Sequence, residues 1–322
     1  MFLFPNDQFL IKDMISSYIS GRLGNQLFQY AYVRFLLFKR GNKEELQFNF
    51  SLVRAAGETK DGFDDSLKFF QVLPYKEQNK DIVLHDGSFL QMLVYLLFKI
   101  DQRIFKIFEP QKWFNLFRKF GILFCHYSDN NITFNIPKEK NVFCYGKYEN
   151  PKYFNEIRSI ILKEFTPCTS PLESNKQLYS IIESTNSVCI SIRRGDFLSD
   201  IFKDRFLVCD KEYFLNAMDE AKKRIYNPTF IFFSDDIEWV RENIHCDVPC
   251  YYESGKDPVW EKLRLMYSCK HFIISNSTFS WWAQYLSRNE EKIVIAPNRW
   301  SNIPEEKSFL LSDSFIKIST EA

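Results

Sequence analysis

The stretch Val188-Cys-Ile-Ser-Ile-Arg-Arg-Gly-Asp196 decides how the chain reads. A short run of apolar, β-branched residues, the mark of a buried strand, passes directly into two arginines, a glycine and an aspartate. In open parallel α/β sheets ligands lie beyond the carboxyl ends of the strands, so the arginines stand where chemistry is expected. Two adjacent guanidinium groups fit a diphosphate, because planar donors match phosphate oxygens two at a time, and Asp196 can orient one of them. A surface arginine pair in a salt bridge is the plain alternative; position at a strand end favours the ligand.

Outward from this stretch the pattern repeats. Helix-like segments at 211–226, 237–244, 258–269 and 279–286 alternate with strand-like segments at 229–233, 248–252, 271–275 and 292–296. Apolar strands separated by helices predict a parallel α/β sheet covered on both faces. Toward the N-terminus one unit is equally clear: a strand at 14–20, a glycine-flanked turn at 21–24 and a helix at 25–39. Further helices are predicted at 89–108 and 151–165, and Thr166-Pro-Cys-Thr-Ser-Pro171 has linker composition. The length of 322 residues exceeds the ~150 of a usual domain, so the chain divides into domains 1–165 and 166–322, with residues 1–13 as a loose extension.

Composition excludes several function classes. The 42 Lys and Arg against 41 Asp and Glu leave a net charge of +1, so no whole-molecule field favours nucleic acid or an anionic membrane, and any anion site is local. The eight cysteines are irregularly spaced and read as free thiols. No apolar run approaches the ~20 residues of a membrane span. The 34 Phe are chiefly a core habit rather than a sugar-stacking surface.

Three further junctions carry polar residues. Asn276-Ser-Thr-Phe279 follows a strand and opens a helix, where free backbone N–H groups and the helix dipole bind anions; N-capping is the reading that coexists with this one. Ser234-Asp235-Asp236 supplies carboxylates for a nucleoside, or caps for the next helix. Asn25 and Gln26, after the first strand, are amides able to bind the neutral hydroxyls of a carbohydrate. The sequence has no Asp-x-Asp with which to hold a metal on a diphosphate, so the arginines and the helix terminus have to stabilise the leaving group. Phosphate-loop, serine-hydrolase-elbow, zinc-protease and dinucleotide signatures are absent as well.

The strings GRLGNQLFQYA (21–31), SIRRGDF (191–197), FSDDIEW (233–239), SNSTFSWWAQYL (275–286) and KIVIAPNRW (292–300) resemble the glycosyltransferase family 11 α-1,2-fucosyltransferases, in family order. The resemblance implies a GT-B architecture, two Rossmann-like domains facing across a cleft. It further implies inverting, metal-independent and cofactor-free transfer of fucose from GDP-fucose to O2 of a galactoside. Domain 1–165 becomes the acceptor side and domain 166–322 the GDP-fucose side. Catalytic roles then fall to Arg193, Asp196 and Asn25. Donor binding falls to Arg193, Arg194, Ser234, Asp235, Asp236, Glu261, Asn276, Ser277, Thr278 and Phe279, and acceptor binding to Asn25 and Gln26.

Two positions depart from the family pattern. Ser191 stands where the family has His, and Lys262 stands where it tends to have Asp, a guanine reader, with Glu261 beside it as the substitute carboxylate. Relatives with a membrane anchor carry it ahead of the first motif, where this sequence has residues 1–20. A bacterial cytoplasmic enzyme, peripheral to the inner membrane and building a surface glycan, is the setting expected from this.

Overall fold

The computed structural model describes residues 13–57, 63–125, 136–304, 306 and 308–320. The expected extension at 1–13 lies, but for Asp13, outside the described residues.

Two parallel sheets organise the molecule. The first contains β1 (Met14–Tyr18), β2 (Glu45–Asn49), β3 (Tyr75–Glu77), β4 (Ile122–Phe124) and β5 (Asn141–Tyr145), in the order β3-β2-β1-β5-β4. The second contains β6 (Asn186–Ile192), β7 (Pro228–Ser234), β8 (Cys250–Tyr252), β9 (His271–Ile274), β10 (Val294–Pro297) and β11 (Ile316–Ile318), in the order β11-β10-β9-β6-β7-β8. Every ladder is parallel, for example Val188 opposite Phe230 on one side of β6 and opposite His271 on the other. The order reverses at β1 in the first sheet and at β6 in the second. Such switch points open crevices at the strand carboxyl ends, which is where α/β proteins bind ligands.

In the first half the covering helices are α1 (Leu23–Lys39), α2 (Ser51–Gly57), α3 (Ile82–Asp86), α4 (Phe89–Ile100), α5 (Pro110–Phe117) and α6 (Arg158–Glu164). In the second they are α7 (Lys176–Ser184), α8 (Lys203–Phe206), α9 (Lys211–Arg224), α10 (Ile237–Asn243), α11 (Val259–Ser268) and α12 (Thr278–Leu286). The strands and helices predicted between 188 and 296 fall within two residues of those observed.

Two predicted helices are shorter than expected, each for a local reason. The helix predicted over 89–108 ends as α-helix at Ile100, because the buried Asp101 carboxylate accepts from Ile107 N, Phe108 N and Trp113 Nε1 and turns the chain at Lys106, whose φ is +52°. That predicted over 151–165 starts as separate 3₁₀ turns at Pro151–Tyr153 and Asn155–Ile157, the first capped by the Asn150 side chain on Lys152 N.

One apolar cluster crosses from one half to the other. Phe28 of α1 packs on Trp282 and Trp281 of α12 at ring separations of 4.7 and 5.0 Å, and Trp282 Nε1 donates to Gly24 O at 2.9 Å. Each fully buried aromatic of this kind contributes about 2–3 kcal/mol, so the two halves are held in register at the start of α1 and α12.

Candidate active site

The end of β6 is a lattice of charge. Arg193 donates from one terminal nitrogen to Asp196 Oδ1 at 2.5 Å and from the other to Asp235 Oδ2 at 2.8 Å. Arg194 donates Nε to Asp236 Oδ2 at 3.2 Å and lies 3.5 Å over the Trp239 ring, while its backbone N–H reaches Asp235 Oδ1 at 2.9 Å. Asp235 approaches so closely because residue 195 is glycine: a Cβ there would lie 2.3 Å from Asp235 Oδ2. The β7 turn is set by Ser234 Oγ, which accepts from Asp236 N at 3.0 Å. Carboxylates on both sides fix the Arg193 fork, and its remaining N–H groups are the ones available to an anion.

The N-terminus of α12 lies across from the start of α1. Ser277 is the N-cap but makes no side-chain cap bond, so no cap side chain competes for the first-turn N–H groups. Thr278 Oγ1 donates to Asn25 Oδ1 at 2.9 Å. Gly24 permits that approach, since a Cβ on it would lie 2.6 Å from Thr278 Oγ1 and 2.7 Å from Phe279 N. Phe279 is partly buried against the shared core. Asn276 positions the loop from behind, its Nδ2 donating to Phe206 O and Trp300 O, both at 2.9 Å. The structure therefore brings Asn25, Thr278, Arg193, Asp196, Asp235 and their neighbours to the facing switch points of the two sheets.

Two residues assigned to substrate from the sequence point elsewhere. Gln26 is fully buried and its amide is spent inside the protein, donating to Gly21 O and Asp64 O and accepting from Ser66 N. Glu261 is also fully buried; it accepts from Leu172 N, Asn175 Nδ2, Tyr179 OH and Arg264. The polar atoms of both side chains are taken up by internal partners, and both pin loops to a helix.

The two unusual positions have local accounts. Ser191 joins a chain of hydroxyls, 2.6 Å from Ser280 Oγ, which is 3.0 Å from Ser275 Oγ, tying β6, β9 and α12 together. Lys262 pairs with the wholly buried Glu253 at 2.8 Å and donates to Ser234 O at 3.3 Å, which holds its ammonium at the carboxyl ends of β7 and β8.

Two further groups were not singled out in the sequence. Arg22, the α1 N-cap, is exposed and lies over the Phe63 ring. Desolvation and then the neighbouring Arg193 pull its pKa down, while Asp196 and Asp235 oppose them, so Arg22 shares the electrostatic field of the β6 cluster. The signal was its place in GRLGN, between the glycines. Glu149, in the loop after β5, has its carboxyl pushed up to about 7 by burial, with Lys147 opposing. No motif surrounds it, so only the fold could reveal it.

Parallel sheets whose switch points face each other, lined by arginines and helix N-termini, are the layout of a GT-B glycosyltransferase. The sequence profile of glycosyl transferase family 11 matches residues 14–316, and the chain belongs to that family. It is 29% identical over 303 residues to an α-1,2-colitosyltransferase of Escherichia coli, covering 90% of this chain and 93% of that protein. It is 26% identical over 315 residues to the O-antigen biosynthesis glycosyltransferase WbnK of Escherichia coli, covering 94% and 99%. Galactoside α-(1,2)-fucosyltransferase 1 of Leontopithecus chrysomelas is 30% identical over 147 residues, 42% of this chain and 40% of that one.

Proposed function

We infer that this glycosyltransferase moves L-fucose from GDP-fucose to O2 of a galactoside, with inversion at the anomeric carbon and without a metal. The observation that carries the reading is Arg193, clamped between Asp196 and Asp235 opposite the α12 N-terminus. In the transfer, the acceptor oxygen bonds to the fucose anomeric carbon as the bond to the β-phosphate oxygen breaks, and the electron pair leaves on GDP. Arg193, with Arg22, Arg194 and the N–H groups around Ser277 and Thr278, takes up that charge without reorganising. Asp196 orients Arg193, and Asn25, held by Thr278, positions the fucose or the acceptor hydroxyl.

The acceptor proton passes to Glu149 in this reading. It lies on the acceptor half beyond the strand next to β1, and its raised pKa suits a base working near neutrality. Base recognition falls to Lys262 rather than Glu261: an ammonium held by Glu253 and Ser234 O meets the O6 and N7 acceptors of guanine and disfavours the 6-amino group of adenine.

A second donor is favoured by one observation, the likeness to a colitosyltransferase over most of both chains. Colitose is fucose without its 3-hydroxyl, so GDP-colitose would fill the same site. Incubation with GDP-fucose and with GDP-colitose, each with a panel of galactosides, followed by linkage analysis of the product, tests both. An α-1,2-fucosylated galactoside supports the first reading, and transfer from neither donor overturns both.

A further inference from the structure

The segment from Phe89 to Lys119 is unlike the rest of the surface. The inner side of α4 is buried through Gln91, Val94 and Tyr95, with Phe98 packed against the same satellite core. Its outer side repeats Phe89, Leu93, Leu96, Leu97 and Ile100 at helical spacing, and all of them are exposed, Phe89 by 78%. A helix that is apolar on both sides needs two apolar neighbours, and the described residues supply one. The same face continues past the helix end with Ile104, Phe105 and Ile107, exposed by 66, 62 and 67%. A contiguous apolar surface of this kind marks a place of contact.

Charge identifies the partner. The segment carries Lys99, Arg103, Lys106, Lys112, Arg118 and Lys119, against only Asp101, which is buried, and Glu109. Lys99 is paired with Asp81, the N-cap of α3, while Arg103 and Lys106 are exposed in the same turn as Ile104, Phe105 and Ile107, in a chain whose net charge is only +1. A second copy of the chain meeting this face across a two-fold axis would set like charges against each other. An anionic lipid surface meets both requirements, an apolar layer below and negative headgroups around it. The helix has 12 residues, about 18 Å of length, so it fits lying in the interface rather than across it. Among the described residues no helix is long and apolar enough to cross a membrane.

We propose that α4 and the turn that follows it dock the acceptor-side half of the protein onto an anionic bilayer. The orientation is a useful one. Gln91 donates to Asn141 O at the start of β5, while Tyr95, one turn on, packs edge-on against Phe124 at the end of β4. The helix thus runs toward the strand carboxyl ends and carries Ile104 to Phe108 to the end of the sheet where the β1 and β5 turns lie. The docked face and the proposed acceptor side then share one end of the sheet.

The test is sedimentation of the full chain with vesicles of phosphatidylcholine alone and with about one-third phosphatidylglycerol added, at low and high ionic strength. The wild type is expected to sediment with the anionic vesicles and to be released by salt. The double substitution Ile104→Glu/Phe105→Glu should lower that partitioning about tenfold or more, and Lys106→Glu roughly fivefold or more. Both variants should keep the wild-type melting temperature and glycosyl transfer to a soluble acceptor, a readout separate from membrane binding. Absence of wild-type sedimentation overturns the proposal. So does equal binding by the variants, or a wild-type dimer that the double substitution converts to a monomer.

Discussion

At the end of β6 the charged side chains hold one another: Arg193 is fixed by Asp196 and Asp235, and Arg194 by Asp236 and the Trp239 face. Past the end of β5, in the first sheet, Glu149 is partly buried, and desolvation pushes its carboxyl up to about 7 with Lys147 opposing. The second sheet thus presents a prearranged cationic fork, and the first a carboxyl poised to change its protonation state near neutral pH. In the transfer proposed above, the first of these receives negative charge and the second a proton. That division is the one the proposed in-line transfer between a diphosphate donor and a hydroxyl acceptor calls for.

The most direct way to break the comparison is Arg193→Ala. Loss of a preorganised partner for developing charge costs about 10²- to 10³-fold in turnover. The side chain is partly exposed, so the melting temperature should move little. Wild-type kcat with GDP-fucose, or with whichever donor the wild type uses, would remove Arg193 from the proposed role.

Glu149→Gln sharpens the other side. General-base catalysis contributes typically 10²-fold or more, so the variant should lose about that much and also lose the rise of kcat through pH 7. Stability supplies an independent sign. The folded value lies above the ordinary 4.5, so between 4.5 and about 7 the folded chain keeps a proton that the unfolded chain has released. Stability from this group therefore falls as pH rises through that window, and the penalty is complete above it. Glu149→Gln removes the penalty and should stabilise the protein by about 1–2 kcal/mol at pH 8 and by nothing at pH 4, measured by denaturant melts. Equal stability changes at both pH values would show that Glu149 is not held neutral.

How much of this was legible in the sequence follows the same division. Segments such as Thr229 to Phe233 are wholly apolar and flanked by polar turns, so period and punctuation locate them. β2 reads Glu-Leu-Gln-Phe-Asn and β3 reads Tyr-Lys-Glu, too short and too polar for the same reasoning, so beyond β1 the first sheet became visible only when folded. At the site, strand-end position pointed to Arg193, Arg194 and Asp235, but it could not choose between neighbours on a helix. Residues i and i+1 point about 100° apart. Asn25 turns to Thr278 while Gln26 turns inward, and Lys262 turns to Ser234 while Glu261 turns inward. Which of each pair turns inward is set by packing that the local sequence does not encode.

The Lys262 and Glu261 pair gives the smaller effects and separates those two neighbours. Lys262→Met removes an ammonium that is held in place by Glu253, and preference for GDP over ADP as a product inhibitor should fall by about tenfold, or 1–2 kcal/mol. Phosphate affinity, read from pyrophosphate inhibition, should stay as it was. An unchanged GDP-to-ADP ratio would take base recognition away from Lys262 while leaving the Arg193 prediction intact.

Glu261→Gln should act in the opposite way. Its carboxylate gathers Leu172 N, Asn175, Tyr179 and Arg264 with no exposed surface. An amide cannot accept all of these bonds, and Arg264 loses its buried counter-charge, so unfolding free energy should drop by about 1–3 kcal/mol. The base preference and KM of the folded fraction should match the wild type, because the residue lies behind the sheet end rather than in it. A changed GDP-to-ADP ratio with an unchanged melting temperature would reverse the assignment, returning the nucleobase contact to Glu261 and leaving Lys262 as its neighbour.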